Sequence, residues 1–502
     1  MRNIKSRMLK GSLWVSAGRI ADNVLSFVTT IVLARLLLPS DFGLVALAAS
    51  TLAIMTAVTE MPVAWALISK KDVAEELYHT AWTISATRGL VLAAAFSLLS
   101  WPMSLVYAEP RLVPVMCAMS AGLILTGMHN LRLTMMQKQL IFWQGVALIV
   151  VKAAVTAVVS IGIAIVYRSY WALVAGAIAG QLASTILSYS MFPFRPRLSF
   201  RNASELLSFS IWLTFNQAIG TLNQRLDHLL IGAVLGRAEL GYYSVGSNLA
   251  VAPSREAVRP IGHTLFPALA AVADDPERLR RGYQRAQALV TAIALPAGLG
   301  FALVADPTVR LALGEKWVLA IGVIQVVGAY YAFATLGSLV GPVAIAKGAT
   351  QLLFRRSLQA LIVRIPIILV GMYFWGFLGL LYGSAVAGML IIAINMRTVS
   401  SLIDLPVIRQ LAANGRTLAA AISMAAAVIA MQRIWPAAPD TRALAVSLVI
   451  SIIGGGITYL SAMLLLWVAA GRPGGPETEA LELAGKIGSR FRGRAGNAPK
   501  DR

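Results

Sequence analysis

From Gly11 to Leu38 the chain reads GSLWVSAGRIADNVLSFVTTIVLARLLL. That run is long and apolar enough to cross a bilayer, which takes about 20 residues. Yet Arg19, Asp22 and Asn23 sit near its middle. Ser12, Ser16, Arg19, Asn23, Ser26 and Thr30 recur at alternating spacings of four and three, which stacks them on one helical face. A charged side chain at that depth costs at least ~2.5–3.5 kcal/mol on insertion scales, so the face is expected to turn toward a partner or a wet cavity rather than lipid. This one segment requires a helical membrane protein with a polar, cationic interior.

Composition agrees. Of 502 residues, 58% are hydrophobic and 13% charged, and the mean hydropathy is +0.74. Soluble globular domains do not have that balance; the fold class is an all-α polytopic membrane protein. The single cysteine, Cys117, lies in an apolar run, which excludes a disulfide framework and a cysteine-based metal site. The N-terminal MRNIKSRMLKG resembles the basic start of a signal peptide. The following run is too long for that role, contains charges and lacks a small-residue cleavage site, so it is read as a retained anchor helix.

Windowed hydropathy gives about fourteen spans. Their cores fall at 12–38, 42–68, 79–107, 112–134, 142–166, 170–193, 207–235, 240–268, 285–305, 317–346, 357–375, 377–398, 416–434 and 442–469. The joint at Trp375-Gly376-Phe377 is the shortest connection. With the N-terminus in the cytoplasm, about 28 Lys and Arg fall in inside segments and about 7 in outside loops, a bias that puts both termini inside. It also accounts for most of the net charge of +21 without nucleic acid. Eight basic residues belong to neither set: Arg19, Arg35, Arg88, Lys152, Arg225, Arg255, Arg259 and Arg364.

Shifted by 198 residues, the two halves align without a gap. Ser12-Leu13-Trp14 meets Ser210-Ile211-Trp212, Asp41-Phe42-Gly43 meets Glu239-Leu240-Gly241, and Pro62 meets Pro260. Arg19, Asn23, Ser26 and Thr30 map onto Gln217, Thr221, Gln224 and His228. A shift of six spans keeps orientation, so the repeat is parallel, about an axis along the membrane normal. The expected organisation is a six-helix lobe over 1–200, its copy over 201–398, two additional helices over 399–470, and a basic cytoplasmic tail over 471–502. Two such lobes, with polar faces turned to a shared cleft, make a rocking transporter.

The opening stretch, and above all the LxPxDFGL element at Leu37 to Leu44, resembles the start of bacterial polysaccharide flippases. These are the O-antigen and exopolysaccharide exporters of the multidrug/oligosaccharidyl-lipid/polysaccharide superfamily. The resemblance covers the layout of the whole chain, while the sharp motif covers its first seventy or so residues. It implies movement of an undecaprenyl-diphosphate-linked oligosaccharide from the cytoplasmic to the periplasmic leaflet of the inner membrane by alternating access. It also implies membrane lipids and the polymerase and export machinery as partners. The extra pair of spans fits the fourteen-helix members.

For such a cargo, the diphosphate is a multivalent anion that cannot cross hydrocarbon unaided. Arginine offers a charged fork that matches phosphate oxygens. Arg19, Arg88, Arg225, Arg255 and Arg259 are the candidate cations, with the competing reading that each neutralises a nearby acid. Asn23, Asn216, Gln217, Asn223, Gln224, His228 and Asn248 form the polar set suited to sugar hydroxyls. Arg35, at a span end, is read as snorkelling to the interface. No G-x-x-x-x-G-K-[ST] motif is present, so an ion such as Na+ or H+, or the membrane potential, is the expected driver. Asp22, Glu60, Asp227 and Glu256 are the candidate carriers. No cofactor or metal is called for.

Other classes stay open. A membrane polymerase would need an extramembrane loop of clustered acids or metal ligands. The acidic pair Asp274-Asp275, in a loop, reads as a helix-cap turn. Four scattered histidines do not make a metal site. A drug antiporter of the same superfamily would favour a cavity of Asp and Glu, whereas arginines outnumber acids in these spans. A flippase for the peptidoglycan precursor shares the diphosphate-lipid end and is the nearest alternative. Trp14, Trp65, Trp101, Trp171, Trp317 and Trp467 lie near span ends and read as interfacial anchors.

Overall fold

The computed structural model describes residues 2–59, 67, 74–138, 141, 143–201, 203, 211–434 and 440–478. Among them there are helices and no strand. Among the described residues, ten helical stretches are long and apolar enough to cross a membrane. Their outer faces are apolar: Leu98, Val158, Ile422 and Leu465 are all exposed, as lipid contact requires. The chain is a multi-pass membrane protein.

One compact unit takes in Met1–Val245 and Ala312–Trp317. It holds α1 (Arg2–Leu36), α2 (Pro39–Val58), α3 (Glu75–Val106), α4 (Leu112–Gly127), α5 (Thr134–Lys138), α6 (Trp143–Tyr167), α7 (Trp171–Met191), α8 (Ile211–Val234) and the start of α9 (Arg237–Ala270). Helix α1 packs on α6, α6 on α7, α3 on α4, α4 on α7, and α8 on α2. The second unit takes in Gly246–Leu311 and Val318–Arg502. It holds the rest of α9, then α10 (Pro276–Leu303), α11 (Ala305–Ala312, except its last residue), α12 (Leu319–Ala334), α13 (Val340–Ala346), α14 (Thr350–Ile403), α15 (Val407–Ala412), α16 (Gly415–Ile434) and α17 (Thr441–Ala469). There α10 packs on α12 and α16, α12 on α14, and α16 on α17.

Local sequence explains the boundaries that matter. Pro39 opens α2, where a missing N–H is harmless. Asp41 in the first turn accepts the Leu38 N–H at 3.0 Å. Asp275 caps α10 by accepting the Arg278 N–H at 3.0 Å, as the cap-turn reading of Asp274-Asp275 expects. The 54 residues of α14 are two helices joined at Gly376, whose φ of 57° and ψ of −129° reverse the chain. That is the short joint expected between the spans at 357–375 and 377–398. Helix α4 is shorter, at 16 residues. Helices α8 and α9, of 24 and 34 residues, carry much of the polar set.

The motif that carries the family resemblance has a structural role. A Cβ on Gly43 would overlap the Arg237 carbonyl oxygen, and a Cβ on Gly241 would overlap the Pro39 carbonyl oxygen. Each residue in the first contact is 198 positions from its counterpart in the second. The starts of α2 and α9 thus cross at backbone contact, and only glycine permits that approach.

A distant segment closes the end of α1. Lys316 Nζ donates to the Arg35 and Leu37 carbonyls at 2.9 and 2.7 Å, and Trp317 Nε1 donates to Ala34 O at 2.8 Å. Arg35 Nε answers with a 2.9 Å bond to Ala312 O. These bonds satisfy carbonyls that a helix C-terminus leaves orphaned, and a cation there is electrostatically favoured. Burial lowers the Lys316 ammonium pKa, while Asp41 acts in the opposite direction. Trp317 is fully buried, with Phe42 and Tyr242 edge-on at 5.3 and 5.8 Å. It is a core residue and not the interfacial anchor that its position near a span end implies. Trp14 and Trp101 are exposed, as that reading expects. Trp65 lies outside the described residues.

Candidate functional site

In the first unit, the face of α1 opposite lipid is defined by its packing. Gly18 lies against Val146 of α6, and Thr29 and Leu33 continue the buried side. Arg19, Asp22 and Asn23 are half-buried beside it. Ser26 is exposed, and Thr30 bonds back to its carbonyl at 2.8 Å. Asp22 acts electrostatically on Lys152 of α6, which also acts on His129 beyond α4. Lys152 Nζ donates to Gln181 Oε1 of α7 at 2.6 Å. Helices α1, α6 and α7 therefore share a polar patch. Lys152 has no polar stripe on its own helix, so its partners could not be read from spacing. The signal for Gln181 was its place as the lone amide in α7.

Arg88 joins two helices. Its Nε donates to Thr59 Oγ1 at 3.2 Å and its NH2 to Thr56 O at 2.9 Å, which ties α3 to the end of α2. Glu60, the next residue, lies outside the described residues.

Helix α8 divides its polar residues by depth. Gln217 and Gln224, seven apart, are exposed, while Asn216, Asn223 and Arg225 are half-buried. Asn223 Nδ2 bonds to Ile219 O at 3.1 Å, one turn back. Asp227 and His228 are buried, at 1% and 6% exposure. Tyr243 of α9 donates its hydroxyl to Asp227 Oδ2 and stands edge-on to His228 at 5.4 Å. The carboxylate, phenol and imidazole make one buried cluster. Tyr243 was missed in the sequence because its partner lies 16 residues away on another helix.

The second unit carries Asn248, exposed on α9, and the half-buried Arg255 and Glu256. Arg255 Nε meets Glu256 Oε1 at 3.3 Å. The Arg259 side chain lies outside the described residues. The same unit holds a further engaged cation, Arg356, whose Nε donates to the buried Asn395 at 2.6 Å. Among the described residues no group of three His, Cys, Asp or Glu is placed to hold a metal ion. What these patches offer is charge and hydrogen bonding within a membrane-embedded bundle.

Over 389 residues the chain is 27% identical to the lipopolysaccharide biosynthesis protein WzxC of Escherichia coli strain K12, spanning 76% of this chain and 78% of that one. It is 20% identical over 309 residues to the succinoglycan biosynthesis transport protein ExoT of Rhizobium meliloti strain 1021, spanning 61% and 63%. The solved structure of the lipid II flippase MurJ in an inward closed conformation matches with a TM-score of 0.74 at 11% identity, over 91% of this chain and 99% of that one. An inward-facing multidrug resistance transporter of the MATE family matches at 0.56 and 12% identity, over 76% and 95%. Both show that this chain shares their all-helical fold. The model of one family, described as polysaccharide biosynthesis protein, matches residues 32–321, more than half the chain, and the chain belongs to that family.

Proposed function

We propose that the protein is a lipid-linked oligosaccharide flippase for exopolysaccharide or O-antigen synthesis. Its cargo is a sugar repeat unit on undecaprenyl diphosphate, carried from the cytoplasmic to the periplasmic leaflet of the inner membrane with both termini cytoplasmic. The two repeats, 1–200 and 201–398, exchange access to the cargo between the two sides, and the pair of helices over 399–470 is an addition. No covalent step is asked of the chain.

The observation that carries this reading is family membership joined to intramembrane polar patches rich in cations and amides. Cations at that depth need a counter-charge or an anionic ligand. Arg19, Arg225, Arg255 and Arg259 serve the diphosphate in this reading, and the exposed Gln217, Gln224 and Asn248 serve sugar hydroxyls. Arg88 is a further candidate for the diphosphate, and it also ties α3 to α2. Asp22, Asp227 and Glu256 are the acids from which an ion, Na+ or H+, would drive the cycle, with Glu60 as a further candidate from sequence.

The test is lipid mass spectrometry on cells with and without the gene. A complete oligosaccharide on undecaprenyl diphosphate is expected to accumulate, beyond reach of an external probe. Accumulation in an externally accessible form would instead implicate a polymerase or later step. Accumulation of the peptidoglycan precursor would replace the cargo, and absence of any lipid-linked sugar would end the flippase reading.

A further inference from the structure

Lys152 is the tenth of the 25 residues of α6, well inside a span, and it is exposed. A lysine at that depth facing lipid is costly, so its head group belongs in a wet, polar space. Its surroundings are defined on three helices. Nζ donates one of its three hydrogens to Gln181 Oε1 at 2.6 Å. That bond fixes the amide: with Oε1 accepting from the ammonium, Nε2 is the free edge and presents two more hydrogens. Among the described residues no protein acceptor takes them, and no carboxylate lies within ion-pair distance of Lys152. Asp22 supplies negative potential through space without contact.

Other intramembrane cations have partners that range from a carboxylate to neutral oxygens. Arg88 is bound to Thr59 and Thr56, Arg255 to Glu256, and Arg356 to Asn395. Lys152 is held in place by a neutral amide, so its charge is oriented but not cancelled by contact. A charged donor and an amide donor side by side, with no acceptor between them, do not suit a metal cation. They suit the oxygens of an anion, to which charge-assisted hydrogen bonds are the strong ones.

We infer that Lys152 and Gln181 form an anion-binding subsite that takes a phosphate oxygen of a lipid diphosphate. This rests on the flippase reading above and adds to it a cation and an amide that the arginine pattern did not contain. Asp22, on the neighbouring helix α1, acts on the ammonium through its field.

The experiment uses the full chain, purified in detergent, with geranylgeranyl diphosphate as the probe and geranylgeraniol as its uncharged counterpart. Wild type is expected to bind the diphosphate and to discriminate against the alcohol. Lys152→Gln should weaken diphosphate binding by about tenfold or more, since a hydrogen bond to a charged group is worth ~1.5–3 kcal/mol. Gln181→Leu should weaken it several-fold, and Lys152→Arg should stay near wild type because the charge and a donor remain. Gel-filtration profile and melting temperature confirm that each variant is folded, and Gln181→Leu decides the matter if Lys152→Gln does not fold. Wild-type affinity in Lys152→Gln or in Gln181→Leu, with binding by wild type intact, overturns the subsite and leaves the flippase reading standing. Failure of wild type itself to prefer the diphosphate over the alcohol overturns both.

Discussion

Trp317 sets a quantitative test of how the end of α1 is held. Its side chain is fully buried, edge-on to Phe42 and Tyr242, and its indole N–H caps the Ala34 carbonyl at 2.8 Å. Two substitutions separate the contributions. Trp317→Phe keeps most of the aromatic contact and removes the hydrogen bond, leaving a buried carbonyl short of a donor; the expected loss is ~1–3 kcal/mol. Trp317→Ala also removes the ring and opens a cavity, for which ~3–5 kcal/mol is expected. Lipid does not fill such a void readily, because it lies against residues of α2 and α9 and not on the outer face. Equilibrium unfolding in mixed micelles measures both variants against wild type. A Trp317→Ala protein within ~0.5 kcal/mol of wild type, the range of an ordinary surface change, would refute the buried-plug assignment and restore the interfacial one.

The remaining expectations concern glycine and charge. Gly43→Ala and Gly241→Ala each place a methyl on a backbone oxygen that cannot rotate away, so both should lose folded protein in the membrane. Gly162→Ala, which meets nothing within 4 Å, should be neutral or stabilise by up to ~1 kcal/mol. Equal yields from all three would show that the crossing is looser than described. Gly376→Ala forces a side chain into a left-handed φ and should destabilise the hairpin of α14 by ~1 kcal/mol or more, read as a lowered melting temperature. Arg255→Gln with Arg259→Gln should abolish export with normal membrane insertion; wild-type polysaccharide from that strain would remove both residues from the cargo path.

Sequence carried the fold far because its signals are local. Apolar length marks a span, Pro39 and Asp41 mark the start of α2, and a three-residue joint at Gly376 marks a turn. The site was legible to the level of which helix carries charge, as α1 and α8 show. It was not legible to the level of partners. Lys152 finds Gln181 29 positions on, Glu109 finds Arg237 128 positions on at 2.6 Å, and Trp317 finds Ala34 283 positions back. No periodicity within a helix encodes those meetings; they follow from how helices pack. The same limit hid the bonds of Arg88 to Thr56 and Thr59, and made Trp317 look like a membrane anchor.

The reciprocal crossing of Gly43 and Gly241 also has the form of a two-fold contact. In the first contact Gly43 meets the backbone of Arg237, and in the second Gly241, 198 positions on, meets the backbone of Pro39. Residue i touching j' while i' touches j is the signature of an isologous interface, the kind two identical subunits make about a two-fold axis. The same geometry would serve two separate copies of one half-length chain. A single chain that makes such a contact with itself carries a constraint that a homodimer escapes. In a dimer one codon serves both sides of the crossing, whereas here each glycine must be kept by its own codon. Selection on the two is therefore independent in the gene but joint in the protein.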